Sequence, residues 1–383
     1  MKSFKDYNIV MINIDGFRRD KITKCSELNN LKNNSIYFSN MYTAAPYTFA
    51  SLHAIFSGTY PSRNGVNAYY NMFKFKKNIF TTLPEILQKE GYYTACDVIS
   101  ESVMPKQGII DWNLFDESKV NFIDRHKKLL EKLSNEKKFF LFLHYTETHK
   151  HLVREIISKY NQEDNNDDFF NSKVENNNRF DSHLKSCSDY ISTIITTLKE
   201  IGIYEKTVLL IFTDHGTSMG EKKGEKFYGV FTYDYTIGVF LIIHIPGNES
   251  KIISKQCRTI DIFPTIIELL GITEAKNIDK IQGENLIKLI DVNSENEREV
   301  FVETGGLYGP WPSPKKHNVF CIRKNNKKLI FNDTPQTWEF YDLESDPEEK
   351  ENIFDDNSEI IQQMKKLLIK HLYDNKIITN ISN

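Results

Sequence analysis

Asp15, Thr48, Asp214 and His215 are the residues of this chain whose types and settings could do chemistry together. Each acid closes an apolar run: Asn8 to Ile14 ends at Asp15, and Val208 to Thr213 ends at Asp214, followed by His215 and Gly216. In an open parallel sheet, the residues after such runs emerge at the carboxyl edge, where ligands bind. Two ionised carboxylates in one crevice are costly to desolvate unless a counter-charge joins them, and a divalent cation is the simplest. His215 adds a nitrogen donor, which favours Mn2+ or Zn2+, with Mg2+ and Ca2+ also possible for an oxygen-rich set. Thr48 follows the turn Ala45-Pro46-Tyr47 and opens an apolar stretch that stops at Gly58. Its hydroxyl is a weak nucleophile at its free pKa, and coordination to the same cation would lower that pKa. A helix over about 49 to 57 would aim unpaired N–H groups and its positive dipole end at the same spot. Taken singly, each feature has a plainer role: an acid and a glycine after a strand make a turn, and a threonine after a proline turn caps a helix. Together and in this order they predict a metal-dependent ester-cleaving site. Thr48 would be its catalytic residue and also a metal ligand beside Asp15, Asp214 and His215.

The elements that must position these groups alternate between strand and helix. Leu83 to Tyr92 has helical spacing with Gly91 as a stop, and Tyr93 to Val98 follows as a strand. Residues 161–178, rich in Asn and Asp, read as a polar surface excursion. An amphipathic helix is expected from about 180 to 200, with Leu184, Cys187, Tyr190, Ile191, Ile194, Ile195 and Leu198 on one face. The strand 207–213 then delivers Asp214. Composition turns polar over 291–299, and beyond it 300–303, 319–323, 328–331 and 337–342 read as short antiparallel strands, closed by a helix over about 357–373. The expected fold is α/β: a mostly parallel central sheet flanked by helices in residues 1–290, and a small C-terminal subdomain of antiparallel strands and a helix in 291–383.

Several segments resemble, in order, the sulfatase-like branch of the alkaline phosphatase superfamily. Thr48 to Gly58, continued by Thr59-Tyr60-Pro61-Ser62-Arg63-Asn64-Gly65-Val66, is similar to the family's nucleophile helix and its trailing Thr-Gly-x-Tyr-Pro-x-x-x-Gly-Val segment. Phe139 to Tyr145 with His149 resembles the strand leading to a substrate-facing histidine. Tyr233 to Ile242 resembles a Tyr-Glu-x-x-Ile-Arg-Val-Pro-Leu-Ile stretch. Asp261 to Thr265 and Glu339 to Leu343 with Asp346-Pro347 complete the series. The resemblance implies an alkaline phosphatase-like fold and a substrate site served by His149, Lys226 and Arg63. Glu147, His144 or His151 could share the role of His149, and a second metal on that His-rich loop stays open. The resemblance also makes the loop Gly305 to Pro312 a candidate to lend aromatic groups to the pocket, the alternative being a packed loop.

One departure redirects the chemistry. A formylglycine-bearing sulfatase has Cys or Ser at the nucleophile position, Pro or Ala two residues on and Arg four residues on; here the register reads Thr48, Ala50 and Leu52. Threonine cannot become formylglycine. It resembles instead the superfamily's phosphodiesterases, phosphonate hydrolases and phosphoglycerol or phosphoethanolamine transferases. The expected function is therefore a metal-dependent hydrolase or transferase of phosphate-type esters acting through a covalent Thr48 intermediate. The alternatives are a sulfate ester hydrolase without formylglycine and a catalytically inert binding protein that keeps the fold. A phosphomutase of the same superfamily would need a large inserted domain, for which no segment matches.

Composition narrows the partners. At 383 residues and a formal charge of -3, the chain has no basic stripe and no electrostatic footprint for nucleic acid. Five scattered cysteines, at 25, 96, 187, 257 and 321, fit reduced thiols rather than a zinc ribbon or a disulfide framework. No apolar run is long enough to span a bilayer, and the first strand begins too early for a signal peptide, so a cytoplasmic enzyme is expected. Its substrate would be a small-molecule or sugar-linked anionic ester. The oligomeric state is not readable.

Overall fold

The computed structural model describes residues 4–67, 74–148, 169, 171–223, 225, 227, 229–273, 280–291, 298–305, 318–333 and 335–377. Thirteen strands lie among them, in two sheets. The larger contains β1 (Asn8–Ile14), β2 (Ile36–Tyr42), β3 (Tyr93–Val98), β4 (Asp111–Leu114), β5 (Phe139–Tyr145), β6 (Thr207–Phe212), β7 (Gly238–His244), β8 (Lys251–Ile253) and β9 (Cys257–Arg258). Their order across the sheet is β4-β3-β5-β1-β6-β7-β2-β8, with β9 also on β2. All pairings are parallel except those of β7, which runs against β6 and β2. The fold is thus the mixed, mostly parallel α/β architecture that the sequence predicts.

β1 and β6 are adjacent at the centre and every residue of both is buried. A strand covered on both faces can bury an unbroken apolar run, which is why these two read as runs rather than alternations. On one face pack the helices Thr48–Ser57, Leu83–Lys89 and Ile262–Leu269, through Leu52, Ile55, Phe56, Leu83 and Phe263. On the other lie Ser26–Asn33, Phe122–Leu133 and Leu184–Glu200, through Leu28, Leu130, Tyr190 and Ile194. Local chemistry fixes where several helices start. Thr82 and Glu85 form a reciprocal capping box at Leu83–Lys89, and the Asn121 side chain accepts from Asp124 N at Phe122–Leu133.

The expected amphipathic helix from about 180 is two helices, Lys173–Asp181 and Leu184–Glu200. The first was hidden in the Asn- and Asp-rich run because its inward face is Asn176 and Phe180. Asn176 Nδ2 donates to Phe169 O and Met219 O, so a polar residue does the packing.

The smaller sheet is antiparallel, ordered β10 (Val300–Thr304), β11 (Val319–Lys324), β12 (Lys327–Asn332) and β13 (Thr337–Asp342). One face packs Val300, Val302, Cys321 and Ile330 against Tyr42, Tyr233 and Ile237 of the larger unit. The other is covered by the helix Glu359–Asp374, through Ile361, Met364, Leu368 and Leu372. All five cysteines are buried, and none forms a disulfide.

Candidate active site

Because β1 and β6 are parallel neighbours, their carboxyl ends bring Asp15 and Asp214 to one edge of the sheet. The two following loops are laced together: Phe17 N donates to Thr213 Oγ1 (3.0 Å), Thr217 Oγ1 to Gly16 O (2.7 Å) and Arg18 Nη1 to Thr217 O (2.9 Å). Gly216 is needed for close approach, since a Cβ there would sit 2.1 Å from Tyr235 O. The Thr48–Ser57 helix is tied to the same edge by Ser51 Oγ, which donates to Asp214 O (2.9 Å).

Thr48 does not cap its helix. Tyr47 holds the N-cap position with extended backbone, and Thr48 is the first helical residue. Its Oγ1 lies 3.1 Å from His215 Nε2 and 3.4 Å from Asp15 Oδ1. Asp15, Asp214 and His215 offer ligand atoms that all lie within 4.8 Å of one another, and all three residues are buried. The four residues predicted from sequence therefore converge.

In each of the three, one polar atom is held by the protein and another is turned to the centre. His215 Nδ1 donates to Gly216 O (2.8 Å), an acceptor only, so Nε2 presents its lone pair. Asp214 Oδ1 accepts from His215 N (3.1 Å) and Gly16 N (3.4 Å), while Oδ2 is buried with no hydrogen-bond partner among the described residues. Asp15 Oδ2 accepts from His144 Nε2 (2.9 Å), leaving Oδ1 on the Thr48 side. Burial, and next the Asp15 charge, push the Asp214 carboxyl above its ordinary pKa. A second nearby anion and an orphaned carboxylate oxygen are what a cation would relieve, so two carboxylates, an imidazole and a hydroxyl fit a divalent ion.

Of the predicted substrate-site residues His149, Lys226 and Arg63, Arg63 is described, and it is not drawn into this group. Arg63 lies half-buried in the short helical turn Pro61–Asn64, and among the described residues its Nε has no hydrogen-bond partner and no ion pair links it to the four. His149 and Lys226 lie outside the described residues, as does the loop 306–312, apart from Gly305 at its start. His144, which the sequence reading left as one of three alternatives to His149, hydrogen-bonds Asp15 from β5. Leu52, at the position of the formylglycine-motif arginine, is fully buried in the core. At Gly238 a Cβ would lie 2.8 Å from Arg19 Nη2; the Arg19 guanidinium fills that room, donates to Met41 O (3.2 Å) and lies 5.0 Å from the Tyr42 ring centroid.

Comparison with known proteins places the chain. The sulfatase family model matches residues 7–272. The chain belongs to the sulfatase family. A second model, described as the C-terminal part of N-sulphoglucosamine sulphohydrolase, matches residues 224–375. Arylsulfatase K of Bos taurus is 27% identical over 172 residues, 43% of this chain and 30% of that protein. The chain thus aligns with about a third of the length of that relative. Among solved structures, a 2-O GAG sulfatase superposes with a TM-score of 0.79 at 17% identity, over 97% of this chain and 93% of the other. The phosphonate monoester hydrolase of Silicibacter pomeroyi gives 0.74 at 14% identity, over 96% of each chain. At these identities the superpositions speak for the fold, and the fold carries both sulfate and phosphonate ester chemistry.

Proposed function

We propose that this sulfatase-family chain is a metal-dependent hydrolase, or transferase, of phosphate-type esters that acts through Thr48. The observation that carries the reading is the hydroxyl of Thr48 at the first position of a helix, within 3.1 Å of His215 Nε2 and 3.4 Å of Asp15 Oδ1. Asp15, Asp214, His215 and Thr48 would hold one divalent cation, Mn2+ or Zn2+ by donor type, which supplies a lowered hydroxyl pKa and a counter-charge for an anionic substrate. The first-turn N–H groups of the Thr48–Ser57 helix have no intrahelical acceptors, and the Tyr47 side chain makes no capping bond to them. A helix N-terminus of this kind suits the equatorial oxygens of a tetrahedral group. Thr48 gives up its hydroxyl proton as its Oγ1 forms a bond to phosphorus in line and the bond to the leaving oxygen breaks, and the leaving alkoxide takes up a proton, so that none is gained or lost overall. Water, or an alcohol in a transferase, then attacks phosphorus, gives its proton to the site and releases Thr48 as the hydroxyl. Lys226, His149 and Arg63 are proposed to meet the anionic substrate.

Sulfate esters are the second reading, favoured by the family match and by the GAG sulfatase among the structural neighbours. That neighbour also supports a sugar-linked substrate. The test is a panel of aryl phosphate monoester, phosphodiester, phosphonate ester and sulfate ester, with Mn2+, Zn2+ or chelator, for wild type and Thr48→Ala. Metal-dependent diester or phosphonate turnover that is lost in Thr48→Ala supports the phosphoester reading. Preferred sulfate turnover overturns it in favour of the second, and inertness toward every ester favours a binding protein.

A further inference from the structure

The protein grips its candidate ligands unequally. Asp214 Oδ1 and His215 Nδ1 are met by backbone groups, Gly16 N and His215 N for the first and Gly216 O for the second. Backbone holds survive substitution. Asp15 Oδ2 is met by a side chain, His144 Nε2, at 2.9 Å.

The setting of His144 is built for that contact. β5 pairs with β1 in parallel, with Asn13 opposite His144, so the imidazole stands beside the strand that ends at Asp15. The ring is fully buried, stacked on Phe142 at 6.4 Å and met edgewise by Phe115 at 6.2 Å. Its Nδ1 is buried with no hydrogen-bond partner among the described residues. An imidazole that gives up half its hydrogen bonding to sit in an apolar wall is an expensive way to fill space. Phenylalanine would pack there without that cost. What histidine adds is one directed N–H.

We propose that His144 is the positioning residue of the metal centre, holding Asp15 Oδ2 so that Oδ1 alone is presented to the cation. The proposal rests on the metal-centre reading given above. A carboxylate with one oxygen engaged by a donor coordinates through the other; released, it can turn, chelate with both oxygens or withdraw. His144 thereby sets the orientation of Asp15 relative to Thr48 Oγ1, and with it the affinity for the metal. It touches neither substrate nor reacting atoms.

The test titrates the metal-free full chain with Mn2+ by calorimetry, for wild type, His144→Phe and His144→Gln, with the melting temperature of each metal-free protein measured alongside. Phenylalanine keeps the ring and removes the donor, whereas glutamine keeps an N–H at about the same reach. The expected result is a Kd raised about 10- to 100-fold in His144→Phe and a Kd close to wild type in His144→Gln. An unchanged Kd in His144→Phe overturns the proposal, and so does a His144→Gln protein as weak as His144→Phe, which would mean a packing role. Should His144→Phe not fold, His144→Asn takes its place with the same two outcomes, since its amide falls short of Asp15. Wild type that binds neither Mn2+ nor Zn2+ overturns the metal-centre reading itself. Tight wild-type binding with indifferent variants overturns only the role of His144.

Discussion

Thr48 carries the chemistry in this reading, and its environment says how hard its loss should be felt. It has a helix terminus behind it and two candidate ligand residues, His215 and Asp15, beside it. Thr48→Ala should lower metal-dependent turnover by roughly three orders of magnitude or more, with a melting temperature close to wild type; retained turnover would remove Thr48 from the nucleophile role. Asp214 is fully buried with Oδ2 unpartnered, so Asp214→Asn should weaken Mn2+ or Zn2+ binding by about 100-fold, read by metal content after dialysis. The convergence of Asp15, Thr48, Asp214 and His215 was legible in sequence because each follows a local signal, an apolar run or a proline turn. The contact between His144 and Asp15 was not, since the two are 129 positions apart and meet only because β5 lies next to β1. No periodicity reports which strands are neighbours.

At the scale of elements, the Thr48–Ser57 helix is anchored by what it buries. Leu52 and Ile55 sit in the core, and the Phe56 ring meets Phe142 edgewise at 5.1 Å. Leu52 thus explains why a formylglycine motif cannot be rebuilt one residue at a time. Leu52→Arg would place a guanidinium in an apolar wall, and we expect a loss of about 3 kcal/mol or more, visible as a lower urea midpoint. A variant as stable as wild type would mean that the position opens to the site. Helix and strand identities were readable wherever the pattern was apolar and periodic, as at Tyr93–Val98 and Leu184–Glu200. Lys173–Asp181 was not, because Asn176 serves as a core residue through its two carbonyl partners and leaves no apolar stripe to find.

Across the whole molecule, buried charge joins the two sheets. Lys328 on β12 lies 2.6 Å from Asp234 Oδ1 and 2.7 Å from Glu349 Oε1, and Asp234 N donates to Glu349 Oε2 (2.7 Å). Nearby, burial pushes the Glu225 carboxyl up to about 7, against hydrogen bonds from Tyr235 and Phe231 N that pull it down. Between an unfolded value of about 4.3 and that folded value, the native state keeps a proton that the unfolded chain has lost. The contribution of Glu225 to stability therefore falls as pH rises through this window. Glu225→Gln should gain on wild type in urea midpoint between about pH 5 and about pH 7.5; an equal difference at both would show that Glu225 is ionised in the fold. At Gly238 a side chain would meet the Asp234 carbonyl oxygen at 2.5 Å as well as the Arg19 guanidinium at 2.8 Å. Gly238→Arg should destabilise the native protein, and adding Arg19→Ala should recover only part of the loss, because the backbone carbonyl remains. The absence of one side chain is thus what lets the Arg19 guanidinium stand against the backbone, beside the Met41 carbonyl and the Tyr42 ring.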